Sequence, residues 1–391
     1  MEVKQVYEIL NTITQEVLGE SVVVLEDLSN IVEVGKAYAN LDGAVDNYVR
    51  KLQDHIGRVV FVDRVYKGRA PSVLMDGWEY GSIMEKIRSD LPEATENETW
   101  SLENGTSYDP NIFYAPSVSV KFFNKRVTFE IPISITQRQV MSSFSSVMQL
   151  NAFYSMIRTA IENSMTVKLD GLIMRTINAA IAETLYNEYS DGVYTGGSGV
   201  RAVNLLYLYN ETLPAGSTPL TQGEAIYSSD FIRFASYTIK NYVGWMHDMS
   251  DLFNIGGTSK FTPDDRMHIV MLNQFKNAAE VYLYDGLNQF NTERLDFPFS
   301  AEGVSFWQGS GTDYDFASTS KVYVDTPSGH TVEASGILGV IFDRDALGVA
   351  NVDRRVTTNY NAKAEFWNEW HKYDAGYFLD LDENFVVFFV A

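Results

Sequence analysis

The sequence predicts an α+β fold in several pieces arranged on one very long helix. Three observations predict it: an unbroken helical periodicity between residues 147 and 185, strand-type alternation before it, and a chain of 391 residues. At roughly 100–200 residues per domain, that length is two or three domains' worth and ample for a hydrophobic core. Apolar residues make up 45% and charged residues 21%, which excludes wholesale disorder. The longest apolar stretches, residues 385–390 and 22–25, fall short of the 18 or so that a spanning helix needs, so no membrane partner is expected.

The N-terminal stretch reads as helical, with Val6, Ile9, Leu10, Ile13 and Val17 on one face and Gly19 as a stop. Glu2, Glu8 and Glu16 stand where an export signal would carry basic residues, so no export is expected. The first 50 residues are lopsided, with three basic against nine acidic side chains. A second helix is expected from about Leu41 through Val45, Tyr48, Val49 and Leu52 to Ile56, ended by Gly57. Residues 58–135 change character. Val60, Val62 and Val65 alternate at one end, and Val118, Val120, Phe122, Val127, Phe129, Ile131 and Ile133 at the other. Both ends read as strands of a long ribbon. Between them lie Pro71, Pro92, Pro110 and Pro116 and an acidic tip of Glu93, Glu96, Glu98 and Glu103. So little apolar mass does not fold alone, since a lone two-stranded ribbon is marginal in water.

The strongest signal follows. Val147, Leu150, Tyr154, Ile157, Ile161, Met165, Leu169, Ile173, Ile177, Ile181 and Leu185 recur at spacings of three and four, with no proline between Pro132 and Pro214. A one-sided helix of about 40 residues and about 60 Å is expected, with a kink near Gly171. A coiled coil would hold its stripe at 3.5 residues rather than let it drift toward four. The glycine-rich residues 195–199 then lead into a compact region. There Phe231, Phe234, Thr238, Tyr242 and Met246 predict a helix, residues 267–272 a buried strand, and Phe275, Ala278, Ala279 and Tyr282 a further helix. Short strands and turns follow, including one at residues 309–312; residues 337–342 predict a second buried strand. Two long strands, about 356–372 and 376–390, are expected to turn near Asp374. Alternation puts Trp367 and Trp370 on opposite faces, as in an element packed on both sides.

Candidate chemistry is thin. With no cysteine, disulfides, thiolate metal sites and cysteine nucleophiles are excluded together. Lys and Arg number 30 against 51 Asp and Glu, a net charge of −21, which argues against binding nucleic acid by phosphate neutralisation. The glycines of residues 196–199 lack the Lys-Ser/Thr of a phosphate loop, and Gly256-Gly-Thr-Ser-Lys260 carries its lysine in the wrong place. Asp380, Asp382 and Asn384 match the first positions of a calcium loop, but Phe385 stands where glycine is needed, so a turn or solvated strand face is expected. His55, His247, His268, His330 and His371 show no metal-ligand spacing, and His268 reads as a satisfied position in a buried strand. Asp264 with Asp265 and Asp343 with Asp345 resemble glycosidase carboxylate pairs, but composition alone produces such neighbours here. No nucleophile elbow occurs. Catalytic, cofactor-binding and metal-binding residues are therefore expected to be none. The 23 Tyr, 23 Phe and 6 Trp point to core and interface packing.

This order of elements resembles the tailed-phage major capsid proteins of the Hong Kong 97-type fold, closest to the phi29-like podoviruses and their small relatives. The residues carrying the resemblance are Val32-Glu-Val-Gly35, Asp54-His-Ile-Gly57 with Arg58-Val-Val-Phe61, and Gly77-Trp-Glu-Tyr-Gly-Ser-Ile-Met-Glu85. The long helix at about 146–188, Gly339-Val-Ile-Phe342 with Asp343, and Asn384-Phe-Val-Val-Phe-Phe389 complete it. The resemblance implies an N-terminal arm and helix over residues 1–57, an E-loop ribbon over 58–135, and a P-domain with its spine helix over 136–194. It further implies an A-domain over 195–350 and returning P-domain strands over 351–391. It implies a non-enzymatic shell protein that assembles with itself as pentamers and hexamers, with scaffolding and portal proteins as partners and assembly in the host cytoplasm. The shell would be icosahedral or prolate and enclose double-stranded DNA. The phi29 relative carries an immunoglobulin-like domain after its last strand; here the chain stops at Ala391, and decoration by such a domain is not expected. Two rival expectations remain: an encapsulin-like nanocompartment of the same fold, and an acidic carbohydrate-active hydrolase.

Overall fold

The computed structural model describes residues 30–40, 69–70, 73–75, 84–89, 96–97, 100–115, 117–143, 147–189, 196–282, 301–308, 315–326 and 328–391, with isolated residues elsewhere (7, 11, 14, 15, 24, 25, 92, 94 and 194). The helices expected over 6–17 and 41–56, the strand at 60–65 and the turn at 309–312 lie outside the described residues apart from isolated positions. In chain order the elements are α1 (Ile31–Asn40), β1 (Leu74–Met75), β2 (Met84–Ser89), β3 (Val118–Phe123), β4 (Arg126–Thr136), α2 (Gln137–Ser143) and α3 (Val147–Glu188). Then come β5 (Ala202–Asn204), α4 (Leu205–Glu211), α5 (Gln222–Ala225), α6 (Ser229–Met246), β6 (Met267–Leu272), α7 (Asn273–Tyr282), β7 (Glu302–Val304) and α8 (Phe316–Thr319). The chain closes with β8 (Val322–Asp325), β9 (Thr331–Ala334), β10 (Ile337–Asp343), β11 (Leu347–Asn361), β12 (Phe366–Leu379) and β13 (Phe385–Phe389).

Helix α3 runs unbroken for 42 residues, and Gly171 sits exposed within it. Its buried residues Ile157, Ile161, Met165, Leu169, Ile173, Ile177, Ile181 and Leu185 fall at a strict spacing of four. Each step of four overshoots a full turn by about 40°, so seven steps wind the stripe through about 280°. That winding lets one helix serve two sheets. Among the described side chains the expected one-sidedness holds over residues 157–171 but not beyond, because residues 172–185 are buried on nearly every face. Buried hydroxyls there are satisfied within the helix: Thr176 Oγ1 donates to Leu172 O and Thr184 Oγ1 to Ala180 O, both at 2.9 Å. Val147, Leu150 and Tyr154 lie in the helix, but their side chains are outside the described residues.

The first sheet has the order β1-β11-β12-β4. Strand β12 is antiparallel to both long neighbours and leaves alternate residues half-buried, burying Trp367, Glu369, His371 and Tyr373 on the core side of the sheet. Trp370 falls on the opposite face from Trp367, as expected. The turn of this strand pair is not near Asp374. It lies at residues 362–365, where Asn361 Oδ1 accepts from Lys363 N (3.1 Å) and Ala364 N (3.2 Å) and Glu365 takes a positive φ of 49°. Asp374-Ala-Gly376 has turn composition, but its carboxylate is held from both sides, by Arg355 Nη1 and Thr128 Oγ1 at 2.6 Å each, which keeps the strand extended.

The second sheet has the order β5-β13-β10-β6-β7. Its central strands are apolar on both faces, as a covered sheet requires. Val270, Leu272, Val340, Phe342, Val387 and Phe389 join the α3 cluster, while the alternating Ile269, Met271, Ile341, Val386 and Phe388 join the α6 cluster. Helix α6 starts at Ser228, whose side chain accepts from Phe231 N, and buries Phe231, Ile239, Tyr242 and Met246 on that sheet.

His268 on β6 departs from expectation. It lies against Phe342, with ring centroids 5.5 Å apart, and its Nε2 has no hydrogen-bond partner among the described residues. Burial, helped by the nearby Arg344 charge, lowers its pKa to about 4. Between pH 6.5 and 4 the unfolded chain therefore takes up a proton that the folded chain refuses, and stability falls as pH drops through that window. The expected loss is about 2 kcal/mol after allowing for partial exposure. His268→Leu should flatten this part of the pH dependence, read as urea midpoints at pH 7 and pH 4.5 for both proteins.

Candidate assembly surfaces

Strands β2 and β3 form an antiparallel hairpin whose alternation is inside out. Opposed residues share a face. Met84 with Phe123, Lys86 with Lys121 and Arg88 with Ser119 form one face; Glu85 with Phe122, Ile87 with Val120 and Ser89 with Val118 form the other. The charged face points inward and the apolar face outward: Lys86 and Arg88 are half-buried, whereas Ile87 is 65% and Phe122 64% exposed. Two lysines directly across a strand pair repel each other, so an anionic partner must lie beneath them.

That partner is the turn between β12 and β13. Lys86 Nζ donates to Asp380 Oδ2 at 2.8 Å and also to Glu383; Lys121 Nζ reaches Asp380 Oδ1 at 2.8 Å and Asp382 Oδ2 at 2.6 Å. Arg88 Nη1 stands 3.6 Å from Asp382 Oδ2, and Lys260 pairs with Glu383 from the other side. Burial pushes the Asp380 carboxyl up, but hydrogen bonds from Lys121 and Lys86 outweigh it and hold the group below the usual carboxylate range. Burial likewise works downward on Lys121, and Asp380 and Asp382 outweigh it to hold the ammonium above its ordinary value. Phe123 packs on Phe378 beside this cluster, centroids 5.4 Å apart.

Residues 380–384 form the expected turn, but a packed one and not a solvated face. Asp380, Glu383 and Asn384 are buried, and the acidic side chains are taken by cations of the hairpin and of the loop before β6. The sequence shows three carboxylates and an amide within five residues there; only the fold brings Lys86 and Lys121 to them across more than 250 residues. Beyond the hairpin, the tip carries a second apolar group: Trp100 is 99% exposed, and Leu102, Ile112, Phe113 and Tyr114 are exposed with it.

The other sequence candidates are parted or spent structurally. Asp264 pairs with His247 Nε2 at 2.5 Å, and Asp345 with Arg266 Nη2 at 2.8 Å. Asp343, its carboxyl pushed up by burial, accepts from Asp345 N at 2.9 Å. Gly199 lies where a Cβ would stand 2.2 Å from Glu188 Oε2, so this glycine serves close packing against the end of α3. Sequence reasoning missed the buried Glu369–His371 pair, 3.2 Å apart within β12, because the two-residue spacing of a strand face carries no motif. Among the described residues no cluster of three metal-ligating side chains occurs, and no helix is long and apolar enough to cross a membrane.

The family model described as Phi29-like phage major capsid protein matches residues 10–389. No curated protein sequence matches the chain. Among solved structures, a chain from the capsid structure of Staphylococcus phage Andhra is similar at 12% identity, covering 84% of this chain and 86% of that one, with a TM-score of 0.50. A chain from the structure of the head fiber and an inner core protein of native bacteriophage P68 is 12% identical, with the same coverages and a TM-score of 0.47. One from the capsid structure of Cyanophage P-SCSP1u is 10% identical, covering 84% and 91%, with a TM-score of 0.43. With its helix-spanned pair of sheets and its inside-out hairpin, the chain belongs to the Phi29-like phage major capsid protein family and has the Hong Kong 97-type capsid fold.

Proposed function

We propose that this capsid protein builds its shell by laying the outward apolar face of the β2–β3 hairpin and its aromatic tip on a neighbouring copy. The observation that carries the reading is the reversed alternation of the hairpin. A strand pair that turns Lys86, Arg88 and Lys121 onto its own chain and offers Ile87, Val118, Val120 and Phe122 to water is built to be covered. Copies meet as pentamers and hexamers of a closed shell, icosahedral or prolate, around double-stranded DNA. A net charge of −21 per copy keeps packaged DNA from adhering to the wall. Scaffolding and portal proteins are the further partners, and assembly takes place in the host cytoplasm. The protein works without chemistry of its own, a reading supported by the structural use of its best carboxylate candidates. The five-part division at residues 57, 135, 194 and 350 stands as part of this proposal, with β13 counted in the A-domain sheet because it pairs with β10 and β5.

Lys121 contributes its charge to its own chain, so it is not free for ionic contacts with a neighbour; Lys125 and Arg126 have exposed side chains. In unassembled subunits, limited proteolysis should cut within the tip, residues 90–117, and spare the clasped strands. In shells the same cuts should be suppressed. Electron microscopy of purified protein should show closed shells; a stable monomer or dimer under every scaffold and salt condition would overturn the assembly reading. Equal protection of the tip in both forms would overturn the docking.

A further inference from the structure

The hairpin and the loop before β6 compete for one carboxylate oxygen. Glu383 Oε1 accepts from Lys86 of β2 and also pairs with Lys260, and both lysines are largely withdrawn from water. Two ammonium groups on one oxygen repel each other, so each weakens the other's hold. The loop that carries Lys260 is tied to the same turn by its backbone. Ile255 N and Gly256 N donate to Leu381 O at 3.0 and 3.1 Å, and Thr258 Oγ1 donates to Asp382 O at 3.1 Å. Gly256 approaches Asp382 so closely that a Cβ would stand 3.1 Å from its Cα. Ser250 and Lys260 exchange backbone hydrogen bonds at 2.9 Å, closing the loop. Around the loop, Trp245, Met249, Leu252 and Phe261 are exposed, a further apolar group apart from the hairpin and its tip.

We propose that Glu383 is an exchange point between these two surfaces. When Lys86 leaves Glu383, the carboxylate passes wholly to Lys260 and the 250–260 loop is held more tightly; when Lys260 withdraws, the hairpin is held more tightly. A copy docking on one surface then biases the other, and the bias is reciprocal. The use made of the exchange in assembly rests on the hairpin-docking reading above, but the exchange itself is a property of one subunit.

Amide hydrogen exchange on dilute, unassembled full-length subunits tests it. Lys86 touches Asp345 O, Asp380 and Glu383, so Lys86→Met frees Glu383 without removing a side chain that touches the loop. Arg88 is left in place because its Nη1 reaches Thr258 Oγ1 directly at 3.3 Å. In Lys86→Met the amides of Ser250, Ile255, Gly256 and Lys260 should exchange about 5-fold more slowly or better, and in Lys260→Met those of β2 should do the same. Lys86→Arg keeps the charge and should leave loop exchange as in the wild type. Unchanged or faster loop exchange in Lys86→Met overturns the proposal, as does slowing that persists in a Glu383→Gln background. Normal shells without reciprocal slowing defeat the exchange alone; reciprocal slowing without shells defeats the assembly reading alone.

Discussion

Ile173→Asp should abolish the folded subunit, and with it every shell. Ile173 lies fully buried near the middle of α3, in a core cluster that includes strands of both sheets. The substitution removes a buried branched side chain, which alone costs about 2–5 kcal/mol. It then places a carboxylate among Leu169, Leu172, Ile177 and their neighbours, where its charge must be neutralised or left unpaired at a further cost of about 3 kcal/mol or more. The sum is comparable to the whole stability of a domain, about 5–15 kcal/mol. Position decides the outcome, not chemistry. Val167, six residues earlier on the same helix, is 68% exposed, and Val167→Asp should leave subunit folding nearly unchanged. Ile173→Val should cost about 1 kcal/mol. Circular dichroism and urea unfolding of the four proteins give the comparison; a folded Ile173→Asp subunit would mean that the stripe is misplaced.

The long helix was legible because a stripe that never changes its spacing is a one-dimensional signal, readable from Ile157 to Leu185 without knowing what covers it. What covers it was less legible. A stripe of spacing four winds, and that it meets strands of two sheets shows only in the fold. The buried strands at Met267–Leu272 and Ile337–Asp343 were equally plain, being apolar without interruption. The last strand pair was misplaced because Asp-Ala-Gly has the composition of a turn. The deciding fact, Arg355 and Thr128 gripping Asp374 from adjacent strands, is a contact between distant residues. Asn361, the true turn former, acts through a backbone-directed hydrogen bond that any asparagine could make.

The assembly surface was half legible. Val118, Val120 and Phe122 showed a strand, but alternation says only that one face differs from the other, not which face meets the protein. The usual inference, apolar face inward, is the wrong one here. Lys86, Lys121 and the turn at residues 380–383 reverse it, and no local pattern joins positions so far apart. Strand β2 was missed for the same reason: Met84-Glu-Lys-Ile-Arg-Ser89 reads as polar unless its charged face has somewhere to go.

Asp380→Ala should release the hairpin from the body of the subunit. Asp380 is 4% exposed and accepts from two lysines that face each other across the β2–β3 ladder. Without it Lys86 keeps Glu383, but Lys121 keeps only the more exposed Asp382, and the lysine–lysine repulsion is no longer neutralised from below. Breaking a buried pair from one side costs about 3–5 kcal/mol, and the partial exposure of Lys121 places the expected loss near the lower end, about 3 kcal/mol. Because that loss concerns the clasp, not the sheets, the subunit should stay folded while protease cuts spread from the tip into Met84–Ser89 and Val118–Phe123. Acid should reproduce the effect in the wild type, with a defined sign. The Asp380 pKa is lowered in the folded chain, so its contribution is complete above the unfolded carboxylate value of about 4 and is lost as pH falls below it through the folded value. Wild-type cleavage should therefore stay within the tip at pH 7 and at pH 5 and extend into the strands only in stronger acid, read with an acid-active protease. Asp380→Ala should show the extended pattern already at pH 7. If its cuts remain confined to residues 90–117, the hairpin is held by something other than this cluster, and the outward assignment of Ile87, Val120 and Phe122 loses its physical basis.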